Sequence, residues 1–399
     1  MDSLPIEIMQ KIAFMTSLSP RDILALALSH KQAYGHILGR LGEENEFDQS
    51  QFRATGGVGF CAVRKWWRGA CLAVVRGYGD VDQTIKTGWN KRGASVFSIA
   101  CHGGGMELVK LLLEDERVDP GANENEAFRQ AALENQVEVV DVLLRDERVD
   151  PTAWENVALI MAAEKGLVEM VELLLGDERV DPADDNNSAI RFASLEGHHA
   201  VVELLLSDPR VDPGADNSYA LRMAAKYGHG RVVELLLRDG RADPGANFDE
   251  AVVSAAEEGH ADVVVMLLAD ERVDPTQEDD HEALVRASHE GHPDVMLLLL
   301  ADERVDPGAE NSIAFRMAAE KGFLPIVQLL LNHPRVDPAA NHNHALRMAA
   351  KEGHADVLRL LLLDPRVDPS AWNYWALRAA QAASHAHIIR LLEPPSEDL

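Results

Sequence analysis

The sequence predicts an all-α solenoid of about ten 31-residue units behind a small helical head. Three observations carry this. The tetrapeptide Arg-Val-Asp-Pro stands at 117–120, 148–151, 179–182, 210–213, 272–275, 304–307, 335–338 and 366–369, with Arg241-Ala242-Asp243-Pro244 filling the one gap. Successive copies lie 31 residues apart, save one step of 32 from Pro275 to Pro307. The stretches between copies share one apolar spacing. A fixed period of this size means a stack of small units, none of which buries its apolar face alone.

Residues 213–237, PGADNSYALRMAAKYGHGRVVELLL, show the unit. A polar turn leads to Ala220-Leu221 and Ala224-Ala225, which share one helical face. Gly228 stops that helix, because glycine accepts the left-handed conformation a tight stop needs. Val232, Val233 and Leu235-Leu236-Leu237 then form the apolar stripe of a second, antiparallel helix. In the joint that follows, residues two apart face the same way. Arg210 and Asp212 therefore share a side as an expected ion pair, repeated along the stack, and Val211 points under the helices. The aspartate favours a turn start, and Pro213 prevents the second helix from running on. The tetrapeptide reads as a structural joint.

Glycine-histidine between the two helices (Gly197-His198, Gly228-His229, Gly259-His260, Gly291-His292, Gly353-His354), followed by a valine- and leucine-rich second helix, resembles the ankyrin repeat. The resemblance covers residues 94–392 as ten units. The units depart from the family in two ways. The usual Thr-Pro-Leu-His helix start is here of the form Tyr219-Ala220-Leu221-Arg222, and each unit is shorter, without the glycine of the finger tip. The resemblance implies a protein-binding array whose finger side is the partner-facing edge.

The formal charge of −28 is uneven. Residues 1–93 hold 12 Lys and Arg against 9 Asp and Glu, whereas the remainder holds 26 against 57. So acidic an array repels a phosphate backbone, which argues against nucleic acid as a partner and for a basic or apolar protein surface. Charge that merely keeps a large surface soluble is the other reading. Cys61, Cys71 and Cys101 show no paired spacing and fit a reducing compartment, cytoplasmic or nuclear. No signal-like N-terminus is evident, and apolar runs such as Val263–Ala269 fall far short of the ~20 residues that span a bilayer. No membrane association is expected, and the chain is expected to be monomeric apart from its partners.

Residues 1–40 leave the period. Leu4-Pro5 is followed by Ile8 and Ile12 at helical spacing, and Ser19-Pro20-Arg21-Asp22 opens a helix carrying Ile23, Leu24 and Leu26. This order resembles the F-box motif, with an extra residue or two around Thr16-Ser17 and Ala33-Tyr34 in place of the motif's late tryptophan. The resemblance implies that Leu4, Pro5, Ile8, Ile12, Ile23, Leu24 and Leu26 dock on the adaptor of a cullin-RING ubiquitin ligase. A segment this short cannot bury a full core alone. The same side chains either meet that adaptor or cap the first ankyrin unit. Residues 41–93 read as a linker with a possible degenerate unit around Trp66-Trp67, and 393–399 as a frayed acidic tail.

No catalytic arrangement, metal site or cofactor motif emerges. Six histidines (His198, His229, His260, His292, His354, His385) hold one repeat position, and equivalent residues on helices roughly 8–10 Å apart cannot share a zinc ion at ~2 Å. His281-Glu282 begins a zinc-helix motif, but Val285 stands where its second histidine belongs. Target contacts are expected where the units differ, just before the first helix: Tyr219, Ile313, His344 and Trp375, joined in the last unit by Trp372 and Tyr374. These aromatics serve either as interface anchors or as cover for the last helices. An arginine row in the first helices (Arg129, Arg191, Arg222, Arg316, Arg347, Arg378) is expected to pair with local carboxylates. The whole reads as a non-enzymatic interaction protein.

Overall fold

The computed structural model describes residues 84–85, 94–276 and 281–393. The head, with its seven expected adaptor contacts, the Trp66-Trp67 segment and the last six residues lie outside the described residues. A two-residue antiparallel pair, β1 (Thr84–Ile85) and β2 (Ala94–Ser95), precedes the array. Ten helix pairs follow: α1 (Val96–His102) with α2 (Met106–Leu113), α3 (Ala122–Leu133) with α4 (Val137–Leu144), and α5 (Ala153–Glu164) with α6 (Val168–Leu175). Next come α7 (Asp184–Leu195) with α8 (His199–Leu206), α9 (Ala215–Lys226) with α10 (Gly230–Asp239), and α11 (Ala246–Glu258) with α12 (Ala261–Leu268). Then α13 (Glu282–Glu290) pairs with α14 (Pro293–Ala301), and α15 (Ala309–Lys321) with α16 (Leu324–Leu331). The last two pairs are α17 (Ala340–Glu352) with α18 (Ala355–Leu362), and α19 (Ala371–Ala382) with α20 (Ala386–Leu392).

The chain divides into two compact units, one ending at Asp185 and one beginning at Asn186, with Glu164–Gly166 belonging to the second. In the first unit α1 packs on α3, and α2, α4 and α6 stack in turn. In the second unit the first helices stack from α9 to α19 and the second helices from α8 to α20. Helices of eight residues do not persist alone in water, so packing of an apolar face must hold them. On α12 that face is Val263, Val264 and Leu267, all fully buried. Each such side chain contributes roughly 1.5–3 kcal/mol on burial.

Glycine closes most first helices, and here the register between repeats is set. Gly228 has φ +71°, and a Cβ built on it would lie 2.6 Å from Nδ1 and Cε1 of His260 in the next repeat. The same ring lies over Gly166, Gly197, Gly259, Gly322 and Gly353, contributed by His198, His229, His292, His354 and His385. Each ring nitrogen Nε2 faces a carbonyl ending the preceding first helix, as His260 faces Lys226 O at 3.0 Å. A carbonyl only accepts, so Nε2 carries the proton. The one interior break without glycine is Asn135, φ +56°, and the following repeat there places Leu167 where the ring would be.

One expectation is corrected, and the structure adds one feature to the turn. Arg210 does not pair with Asp212. Its guanidinium meets Asp208 at 2.7 Å, because that carboxylate also accepts the Arg210 backbone N–H at 2.9 Å and closes a tight ring. Asp212 instead accepts the Gly214 N–H at 2.9 Å, while Val211 is buried as expected. The arginine also stitches repeats: Arg241 donates to Val211 O at 2.7 Å and Leu206 O at 3.2 Å. The polar turn is left-handed over three consecutive residues, as in Asp216, Asn217 and Ser218 (φ 55°, 53° and 55°). Left-handed non-glycine residues cost roughly 1–2 kcal/mol each, which explains the prevalence of Asn and Asp. The third residue offsets part of this by latching the next joint. Asn187 Oδ1 accepts the Asp212 N–H at 2.7 Å, Ser218 Oγ that of Asp243 at 2.8 Å and Asn343 Oδ1 that of Asp368 at 2.8 Å. His281, from the abortive zinc motif, does the same for Asp306 through Nδ1 at 3.3 Å.

Candidate functional site

Because joint, glycine break and second helix repeat almost unchanged, difference is concentrated on the left-handed turns and the residue after them. There the first-helix arginine reaches back to the turn. Arg222 donates to the carbonyls of Asn217 (2.9 Å) and Asp216 (3.2 Å), and Arg316 and Arg347 repeat the bond pattern. The expected pairing with carboxylates holds for Arg191 with Asp216 at 2.9 Å and for Arg222 with Glu250. For Arg129, Arg316, Arg347 and Arg378 the bonded partners are turn carbonyls instead. Backbone oxygens of a left-handed turn point where no helix bond can use them, and the guanidinium fork fills that need.

The expected target contacts fall on this face, in the second unit. Tyr219 is half-buried, with the Arg191 guanidinium 4.7 Å and that of Arg222 5.7 Å from its ring centre. Ile313 and His344 are also half-buried. Burial, and then the charges of Arg316 and Arg347, hold His344 below its ordinary pKa, so it is neutral at physiological pH. At the end of the array Arg347, only 6% exposed, has the ring centres of Trp372 at 4.4 Å and Trp375 at 5.2 Å, and burial depresses its pKa. His342 lies tilted against Trp372, 5.3 Å between ring centres. Trp375, Arg378 and Ala379 line an open cavity of about 350 Å3. Tyr374 occupies the latch position of the last described turn, and its side chain is exposed.

Two aromatics outside the expected set hold turn positions of their own units. Trp154, in the first unit, is exposed, stacks under Arg129 at 3.8 Å and donates its indole N–H to Glu124. Phe248 is the most exposed aromatic of the described residues at 68%. Its signal in the sequence is a bulky apolar residue at a turn position that is otherwise mostly polar.

The geometry defines a class: a helical repeat array that holds a row of differing side chains on an invariant frame. The family model for ankyrin repeats in groups of three matches residues 128–220, 221–311 and 284–373, more than half of the chain. The chain belongs to the ankyrin-repeat family, which marks it as a protein–protein interaction module. No curated protein matches it. Among the described residues, no helix is long and apolar enough to cross a membrane.

Proposed function

We propose that the chain is a substrate-receptor subunit of a cullin-RING ubiquitin ligase of the SCF type. In this reading residues 1–40 dock the adaptor through Leu4, Pro5, Ile8, Ile12, Ile23, Leu24 and Leu26. The array holds a target protein through Tyr219, Ile313, His344, Trp372, Tyr374 and Trp375. The protein does no chemistry itself, and it works in the cytoplasm or nucleus as a monomer apart from these partners. The observation that carries the reading is the order Leu4-Pro5, Ile8, Asp22-Ile23-Leu24 placed ahead of an ankyrin array. A binding array joined to an adaptor-docking segment brings a target to an enzyme carried by the partner.

One observation favours a second reading, a plain scaffold whose head caps the solenoid. In α1 every residue from Val96 to Cys101 is buried, whereas in α19 of the last pair only Ala376 and Ala380 are. An end helix buried on all sides is what a cap produces. Titration of the purified chain against the ligase adaptor separates the two. The receptor reading expects saturable binding that Leu4→Ala/Pro5→Ala/Ile8→Ala abolishes while far-ultraviolet dichroism is unchanged. Absence of binding by the intact chain refutes it, and a large loss of thermal stability in the triple variant supports the cap.

A further inference from the structure

The net charge of the array favours a basic partner, but its last three repeats depart from the rest. On the turns and first positions of α7, α9, α11 and α13 stand Asp184, Asp185, Asp216, Asp249, Glu250 and Glu282. The equivalent positions of α15, α17 and α19 carry a single acid, Glu310. Within the second unit the arginine row follows this change. Arg191 and Arg222 have carboxylate partners. Arg316, Arg347 and Arg378, one per repeat, bond only carbonyls: Asn311 and Glu310 at 3.1 Å each, His342 and Asn341 at 3.0 and 3.1 Å, and Trp372 at 3.1 Å. Glu310 and Glu320 act on Arg316 from beyond ion-pair distance. Arg347 is buried between two indoles, Arg316 is half-buried with its nearest carboxylates beyond ion-pair distance, and Arg378 is exposed. No carboxylate among the described residues is bonded to any of the three, so the two outer guanidiniums can take an anion from a partner.

We propose that this end of the array binds an acidic peptide running across α15, α17 and α19. Carboxylates meet Arg316 and Arg378, and an apolar side chain enters the cavity beside Trp375, Arg378 and Ala379. First helices of successive repeats lie about 10 Å apart. A polyproline-II chain rises ~3.1 Å per residue and returns to the same side every third residue, about 9 Å. Acidic residues six apart therefore span the two repeats from Arg316 to Arg378. A short peptide on three repeats escapes the repulsion of the acidic remainder, whereas a long polyanion does not. The proposal rests on the array being a partner-binding module and not on the head docking an adaptor.

The test is fluorescence polarisation of the full chain with a labelled peptide of ~12 residues, Glu at every third position and Pro and Leu between. Saturable binding is expected, lost when the glutamates are replaced by glutamine. Arg316→Gln/Arg378→Gln should weaken it about tenfold, two charge contacts of ordinary strength, with Arg286→Gln unchanged. No binding by the folded wild-type chain, equal binding by the double variant, or equal affinity for the glutamine peptide overturns the proposal. So does preference for a single-stranded oligonucleotide of equal charge. A failed peptide titration beside successful adaptor capture removes the acidic class alone, and failed adaptor capture leaves the peptide result standing.

Discussion

Replacing Gly228 by asparagine tests whether repeats are registered by glycine and ring. Asparagine tolerates the left-handed backbone better than most residues, so φ +71° is a minor cost. The major one is the Cβ, which would sit 2.6 Å from the His260 ring and force it off its seat, about 1–3 kcal/mol. His260→Leu alone removes the 3.0 Å bond to Lys226 O, about 1 kcal/mol. The chain already contains the combination Asn135 and Leu167 at equivalent positions. Gly228→Asn/His260→Leu should therefore cost no more than His260→Leu, a coupling of about 1–3 kcal/mol. Urea unfolding followed by dichroism gives the free energies, and amide exchange in α9 and α10 locates the effect. Additive losses in the double variant would refute the interlock.

Asn187→Ala strips the acceptor from the Asp212 N–H and leaves alanine at φ +60°, about 3 kcal/mol together, whereas Asn187→Ser, the choice made at Ser218, should cost under ~1 kcal/mol; equal losses by denaturant titration would sink the latch. Hydrogen bonds from Arg210, Arg241 and Arg272 hold Asp208, Asp239 and Asp270 below their ordinary pKa. A depressed folded pKa gives stability present above the unfolded value of ~3.9 and lost as pH falls through the folded one. The wild-type Tm should thus drop from about pH 5 to pH 3, and drop less steeply when all three are asparagine; parallel curves contradict the pairing. Burial pushes the Cys101 thiol far up, so in a Cys61→Ser/Cys71→Ser background it should resist alkylation near pH 8 until the array unfolds, and prompt labelling of the native chain would show it accessible.

The period, the paired helices and the glycine stop could be read in the sequence because each depends on spacing within one repeat. Val211 pointed inward for the same reason. Contacts between repeats were less legible. In an extended joint Asp208 and Asp212 lie on the same side as Arg210, so alternation does not choose between them; the backbone N–H that Asp208 also binds decides it. Handedness of the turn was hidden because Trp154, Glu155 and Phe248 have no preference for the left-handed region. In the turn of Phe248 a latch 25 residues away helps to impose it, Asp249 accepting the Asp274 N–H at 2.9 Å. On the candidate site, composition pointed to Trp372, Tyr374 and Trp375, but the stacking of Arg347 between the two indoles depends on neighbouring repeats meeting. Phe248 was hidden by the polar residues around it.

The pairing of a glycine with the ring that follows it decides which blocks of this chain can be exchanged. Excising residues 198–228 would join Gly197 to His229, setting His229 above Gly166 and Gly197 beneath His260, so both new seams would still pair glycine with histidine. Excising 136–166 would leave Asn135 beneath His198 and create a seam found nowhere among the described repeats. Modules joined by glycine–histidine seams should thus be portable, able to be lost, duplicated or grafted in 31-residue steps, while those meeting at Asn135–Leu167 or at Gly291–Phe323 are tied to their neighbour and must travel as a pair.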